Sequence, residues 1–226
     1  MNLQHKLIVF DWDGTLMDSE ARIVACMQAA IGDMGLPERT VAAIRNIIGL
    51  GLRESVASLF TDLSESDYQQ LVDRYRYHFL VGDKTPSLLF EGVIPLLKGL
   101  LARDHFLAVA TGKGRAGLDK VLEETDLHSV FHATKCADET FSKPHPQMLL
   151  DIMDELGVEG CETLMVGDTE YDLQMANNAG TAALAVSYGV HSKQRLLDCG
   201  PLSCVDTVSE LTDWLLHRHE PVLSPV

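Results

Sequence analysis

The sequence predicts an α/β fold built on a mainly parallel sheet, and three features carry that expectation. Short apolar runs end in small or polar residues, helical patterns separate them, and one long helical stretch interrupts the alternation after the first run. The runs cover residues 7–10, 106–110, 164–166 and 182–186. Their brevity and their β-branched or aromatic content favour buried strands over helices. Helical patterns occupy 93–103, 118–124, 146–156 and 172–178. Such alternation implies a Rossmann-like parallel sheet with helices on both faces.

The stretch from about residue 16 to 90 is far too long for a single crossover and holds no strand-like run. Within it Ile23, Met27, Ala30, Ile31 and Met34 repeat at helical spacing, with Asp18 or Ser19 as N-cap and Gly35 as stop. Further helices are expected over 38–47, 53–59 and 67–80, and the turn-rich segment 82–87 leads back to the sheet. The expected organisation is an α/β core of residues 1–15 and 91–226, with a four-helix cap, residues 16–90, inserted after the first strand.

Composition narrows the function classes. The formal charge of −15, from 33 acidic and 18 basic residues, speaks against nucleic acid and against anionic membrane surfaces. An anionic small molecule would then need a metal ion and a few local cations to invert the field. The five cysteines (Cys26, Cys136, Cys161, Cys199, Cys204) are odd in number and scattered, which suggests reduced thiols rather than a disulfide framework or a zinc site. No signal-peptide pattern precedes Leu7, and no apolar run approaches the length of a membrane span. A soluble, cytoplasmic protein is expected, as a monomer or weak dimer.

In open parallel sheets ligands gather at the carboxyl ends of the strands. After the first run comes Asp11-Trp12-Asp13-Gly14-Thr15; after the second, Thr111-Gly112-Lys113; after the third, Gly167-Asp168, with Asp172 four residues on. Ser142-Lys143-Pro144 stands ahead of a predicted helix. All four clusters should converge on one crevice. In extended backbone Asp11 and Asp13, two residues apart, point the same way. Two carboxylates so close raise the proton affinity of one of them unless a cation intervenes, which separates their roles. Gly14 lets the backbone turn away and approach a phosphate closely.

These residues resemble the motifs of the haloacid dehalogenase superfamily. Asp-x-Asp-Gly-Thr at 11–15 is similar to its first motif, Thr111 to its second and Lys143 to its third. The run from Gly167 to Asp172 is similar to its acidic fourth motif. The order is the expected one, and the helical insertion resembles the cap of the branch containing phosphoglycolate phosphatase and β-phosphoglucomutase. The resemblance implies an Mg²⁺-dependent phosphatase acting on a small phosphate monoester, phosphoglycolate-like or a sugar phosphate. Asp11 would be the nucleophile that becomes an acyl phosphate. Asp13 would protonate the leaving oxygen and then deprotonate water. Mg²⁺ would be held by an Asp11 oxygen, the Asp13 carbonyl and Asp168. Thr111, the Gly112 N–H and Lys143 would bind the phosphoryl oxygens. Asp172 would hold a metal-bound water or orient Lys143.

Within the superfamily, Asp13 favours phosphoryl transfer over dehalogenation, because a halide leaving group needs no proton. The cap offers only Lys84, near its exit, for the Schiff base of a phosphonatase. A phosphomutase, nucleotidase or pyrophosphatase remains an alternative, as does a non-catalytic phosphate-binding module. Substrate choice should lie in Gly49-Leu50-Gly51-Leu52-Arg53, where Arg53 could meet a second anionic group or could simply be a surface residue. Trp12 should point away from the site, His145 reads as a helix-start residue, and His217-Arg218-His219 as solvated tail without a third metal ligand.

Overall fold

The computed structural model describes residues 5–216, so the His217-Arg218-His219 run lies outside the described residues. The chain opens with β1 (Leu7–Phe10) and β2 (Met17–Asp18), followed by α1 (Glu20–Asp33), α2 (Val41–Asn46), α3 (Leu52–Leu59) and α4 (Glu65–Tyr77). It returns through β3 (Leu88–Leu89) to α5 (Val93–Leu101), β4 (Phe106–Thr111), α6 (Arg115–Thr125) and β5 (Ala133–Cys136). Then come α7 (Gln147–Leu156), β6 (Thr163–Gly167), α8 (Glu170–Ala179) and β7 (Ala182–Val186). The last elements are α9 (Lys193–Leu197), β8 (Cys204–Val205) and α10 (Val208–Leu216).

Six parallel strands form one sheet in the order β5-β4-β1-β6-β7-β8. Phe10 stands opposite Val109 on one side and Val166 on the other. Alternate residues feed two separate cores, as the pleat requires. Ile8, Phe10, Val109 and Val166 pack with Leu96 of α5, Leu118 of α6 and Leu211 of α10. Leu7, Val9, Ala108 and Met165 pack with Leu149 of α7 and Leu173 of α8 on the opposite face. The Rossmann-like sheet with helices on both faces is therefore as the sequence predicts. The chain runs outward from β1 through β4 to β5, then crosses to β6 on the other side. That reversal opens a crevice at the carboxyl ends of β1, β4 and β6.

Four strands escape the sequence pattern: the two-residue β2 and β3, which lie inside the 16–90 stretch expected to hold none and are too short to show a run, and the two edges of the main sheet. β5, with Thr134 and Lys135 half-buried between buried ends, and the two-residue β8 lack the continuous apolar run of a strand covered on both sides. The insertion carries its own apolar cluster, including Met27, Ile31, Ile44, Val56 and Leu71. At its base β2 and β3 pair antiparallel, Met17 opposite Leu89. Thr40 caps α2 through the Ala43 N–H, and Ser64 caps α4 through the Asp67 N–H. The expected helix over 67–80 begins earlier and ends in a π-helical turn, His78–Gly82, which carries Phe79 inward. Ser19 occupies the N-cap position of α1, but its hydroxyl is used elsewhere. No described helix is long and apolar enough to cross a membrane. All five cysteines are free thiols.

Candidate active site

Asp11 is the first residue beyond β1, and its N–H donates to the Val166 carbonyl of β6 at 2.9 Å, which fixes it at the centre of the crevice. Its side chain is buried against Lys143, whose Nζ lies 2.7 Å from Asp11 Oδ1 and 2.6 Å from Asp172 Oδ1. Asp172 sits in the first turn of α8, where its other oxygen accepts from the Thr169 N–H and hydroxyl to close a capping box. Asp168, just beyond β6, accepts from the Thr15 hydroxyl at 3.0 Å and the Val190 N–H at 2.8 Å. Gly14 packs against it with φ +80, and a Cβ there would stand 2.2 Å from Asp168 Oδ2. Only glycine tolerates both the torsion and the approach.

Carboxylate oxygens of Asp11, Asp168 and Asp172 lie within 4.8 Å of one another, all buried. Asp13 adds a fourth acid, and the basic side chains paired with this group are Lys143 and Lys113. Four carboxylates set against two ammonium groups leave a deficit of two positive charges. Asp11 Oδ2 is buried with no hydrogen-bond partner. Burial, and then the neighbouring Asp172 and Asp13, push the Asp11 carboxyl up to about 7 despite Lys143. Burial together with Asp11 and Asp172 holds Asp168 well above the ordinary carboxylate range. Burial works against a charged Lys143, but Asp11 and Asp172 outweigh it and hold its ammonium above its usual pKa. An orphaned, buried carboxylate oxygen among acids that are costly to ionise together is the environment a divalent cation completes, and an all-oxygen donor set suits a hard ion. The residues fit Mg²⁺.

Above this cluster lies a cavity of about 400 Å³ whose walls include Asp11, Asp13, Gly112 and Lys113 of the core, and Ile23, Leu50, Arg53, Tyr75 and Phe79 of the insertion. The insertion rests directly on the core. A Cβ on Gly112 would stand 2.4 Å from the Leu50 carbonyl oxygen, so only glycine allows the 49–52 loop to sit there. The Gly51 N–H donates to Ser142 Oγ at 2.7 Å, next to Lys143. Tyr171, next to Asp172, donates its hydroxyl to the Asn46 carbonyl at 2.8 Å.

Asp11, Asp13, Gly112, Lys143, Asp168 and Asp172 therefore meet at one crevice. Thr111 is fully buried at the end of β4, and its hydroxyl accepts from the Lys113 N–H. Asp172, expected to lie outside the metal ligands, shares the close group of carboxylates with Asp11 and Asp168. Arg53 stands at the rim, 70% exposed, 3.6 Å from Glu65 and over the Tyr68 ring at 5.2 Å. Trp12 is buried in the core edge-on to Phe131, and His145 precedes α7 with its ring stacked on Phe141. Sequence reasoning gave no role to three neighbours. Lys113 pairs with Asp13 at 2.9 Å, Ser19 donates to the same Asp13 oxygen, and Thr15 holds Asp168. Lys113 and Thr15 stand within the clusters already singled out, which was the available signal.

Residues 8–186 match the haloacid dehalogenase-like hydrolase family, and the chain belongs to it. It is 37% identical over 209 residues to the probable phosphatase IndB of Dickeya dadantii, with 91% of each chain covered. It is 31% identical over 220 residues to the phosphoglycolate phosphatase of Aliivibrio fischeri, covering 93% of this chain and 95% of that one. A solved haloacid dehalogenase-like family hydrolase from Streptococcus pneumoniae shares the fold with a TM-score of 0.81 at 24% identity, covering 93% of this chain and 98% of that one. These sequence relatives set the chain among the phosphatases of the family.

Proposed function

We propose that the protein hydrolyses a small phosphate monoester, phosphoglycolate-like or a sugar phosphate, by way of a phosphorylated Asp11. The observation that carries this reading is the placement of Asp11: one oxygen on Lys143, the other unpartnered, at a cavity it shares with Asp13. An Asp11 oxygen bonds to phosphorus as the bond from phosphorus to the leaving oxygen breaks, and Asp13 gives that oxygen its proton. Water then attacks phosphorus and passes a proton to Asp13. The acyl phosphate bond breaks, returning the Asp11 carboxylate and releasing inorganic phosphate. Lys143, Thr111 and the Gly112 N–H hold the phosphoryl oxygens, Asp172 orients Lys143, and Arg53 meets a second anionic group on the leaving portion. Asp11, the Asp13 carbonyl and Asp168 would hold Mg²⁺, which when bound would neutralise these acids against the phosphate dianion and polarise the transferring group.

The similarity to phosphatases over nine tenths of the chain supports this reading. A cavity of about 400 Å³ accommodates leaving groups from a two-carbon acid to a sugar. The net charge of −15 supports a small-molecule substrate over nucleic acid or membrane, with the chain a monomer or weak dimer. Its free thiols support a cytoplasmic location. The test is hydrolysis of p-nitrophenyl phosphate by the purified protein with Mg²⁺, and its loss in excess chelator. Full activity in chelator would remove the metal from the scheme, and no turnover of any phosphate ester with Mg²⁺ would overturn the phosphatase reading.

A further inference from the structure

Lys113 has no part in the chemistry set out above, yet it touches both halves of the molecule. Its side chain is only 6% exposed. On the core side Nζ lies 2.9 Å from Asp13 Oδ1, and on the cap side 4.2 Å from the centroid of the Phe79 ring. Phe79 belongs to the π-helical turn after α4 and packs with Ile23, Cys26 and Ile48. The Arg22 guanidinium donates to the Phe79 carbonyl at 2.9 Å and lies 4.9 Å from the ring. The ring is thus placed by residues of the insertion, whereas Lys113 and Asp13 belong to loops of the sheet.

A lysine ammonium is a compact charge on a flexible stem, and its direction is set by what surrounds it. An aromatic face is a favourable seat for a cation, more so where water is excluded. That seat exists only while the insertion is docked on the core. The Asp13 oxygen is held by Lys113 and by the Ser19 hydroxyl. Without the Phe79 seat, Ser19 becomes the one fixed donor, and a carboxylate held by one donor turns more freely. Proton transfer depends strongly on such orientation.

We propose that Lys113 is a positioning residue: seated under Phe79, it directs the Asp13 carboxylate for proton transfer, so that docking of the cap assembles the acid–base group. This rests on the reading of Asp13 given under the proposed function.

The test uses the full chain with saturating Mg²⁺, p-nitrophenyl phosphate and rapid acid quench. The p-nitrophenolate leaving group needs no acid, so phosphorylation of Asp11 in Lys113→Met should stay fast, with a burst of about one nitrophenol per site. Hydrolysis of the acyl phosphate needs Asp13 as base, so kcat should fall about 10- to 100-fold while kcat/KM stays near wild type. Phe79→Leu should show the same pattern more weakly. The double variant should be no slower than Lys113→Met, because both changes act through one path. Lys113→Arg should restore part of the loss. A misfolded variant would instead lose burst amplitude and kcat/KM together, so the stoichiometric burst confirms that the slow enzyme is folded.

Wild-type turnover in Lys113→Met would overturn the proposal. So would a fall in kcat/KM with unchanged kcat, which would make Lys113 a substrate-binding residue, and so would independent, additive losses from Phe79→Leu. If Asp13→Asn accumulated no phosphoenzyme, the acid–base reading itself would fail and this inference with it. Accumulation in Asp13→Asn but not in Lys113→Met would overturn the inference alone.

Discussion

Lys143 Nζ stands 2.7 Å from Asp11 Oδ1, and this fully buried ammonium is shared with Asp172 at 2.6 Å. Removing it leaves two buried carboxylates without their cation, a change that typically costs about 3–5 kcal/mol. Lys143→Met should therefore abolish turnover and lower the melting temperature. The drop should be larger at pH 8 than at pH 5, because Asp11 can relieve the charge at low pH by taking a proton. Thermal melts at the two pH values check this, and equal drops would argue against Asp11 as the proton acceptor.

Magnesium binding should be linked to protons with a definite sign. Burial, with Asp172 and Asp13, raises Asp11 to about 7, and Asp168 is raised as well. In the unfolded chain both titrate near ~4. Between those values the metal-free folded protein binds more protons than the unfolded chain. The stability from Asp11 is thus complete below about pH 4 and lost as pH rises through about 7, and Asp168 acts in the same direction. A cation bound among these carboxylates displaces the protons, so the Mg²⁺-induced rise in melting temperature should grow from pH 5 to pH 8 at fixed ionic strength. A rise that did not change with pH would place the ion elsewhere.

Asp13→Asn separates the two half-reactions. Asparagine cannot accept a proton from water, and such assistance is worth roughly 10²–10⁴-fold. With p-nitrophenyl phosphate and saturating Mg²⁺ the variant should release a burst of about one nitrophenol per site and then turn over slowly. The phosphate adduct should appear in intact mass after acid quench. Asp11→Asn should give neither burst nor adduct. Wild-type turnover without an adduct in Asp13→Asn would contradict the assigned role.

Arg53 stands on the rim of the cavity and is paired in this structure with Glu65 and Tyr68. A residue that binds a remote anionic group contributes only when that group is present. Arg53→Ala should lower kcat/KM for 2-phosphoglycolate by about tenfold or more, the loss of a charged hydrogen bond, and change that for p-nitrophenyl phosphate less than about twofold. Equal losses on both would indicate a disturbed cap.

The interior of the sheet was legible because β1, β4 and β6 are covered on both faces and so read as unbroken apolar runs. Asp11, Thr111 and Asp168 were legible for a related reason, since the end of a buried parallel strand is where the chain first offers polar groups to a crevice. β5 was hidden by Thr134 and Lys135, which an edge strand tolerates and a central strand would not. The role of Ser19 was hidden by its position in the chain. The residue stands at the cap position, but its backbone (φ −118, ψ 1) is not the extended conformation of a capping residue, and its hydroxyl donates to Asp13 instead. Lys113 was hidden because its two neighbours, Asp13 and Phe79, come from distant parts of the chain, and no local pattern brings a lysine to an aromatic ring across such a separation.

The contact at Asn46 has a mechanical consequence. Its carbonyl takes the Tyr171 hydroxyl and its side chain meets the Arg195 guanidinium at 2.5 Å, so one residue of the helical insertion is fastened at two points to α8 and α9 of the parallel-sheet part. Tyr171 is the immediate neighbour of Asp172, which lies against Lys143. Asn46 is thus joined, through the first turn of α8, to the buried Lys143–Asp172 pair, with no intervening loop.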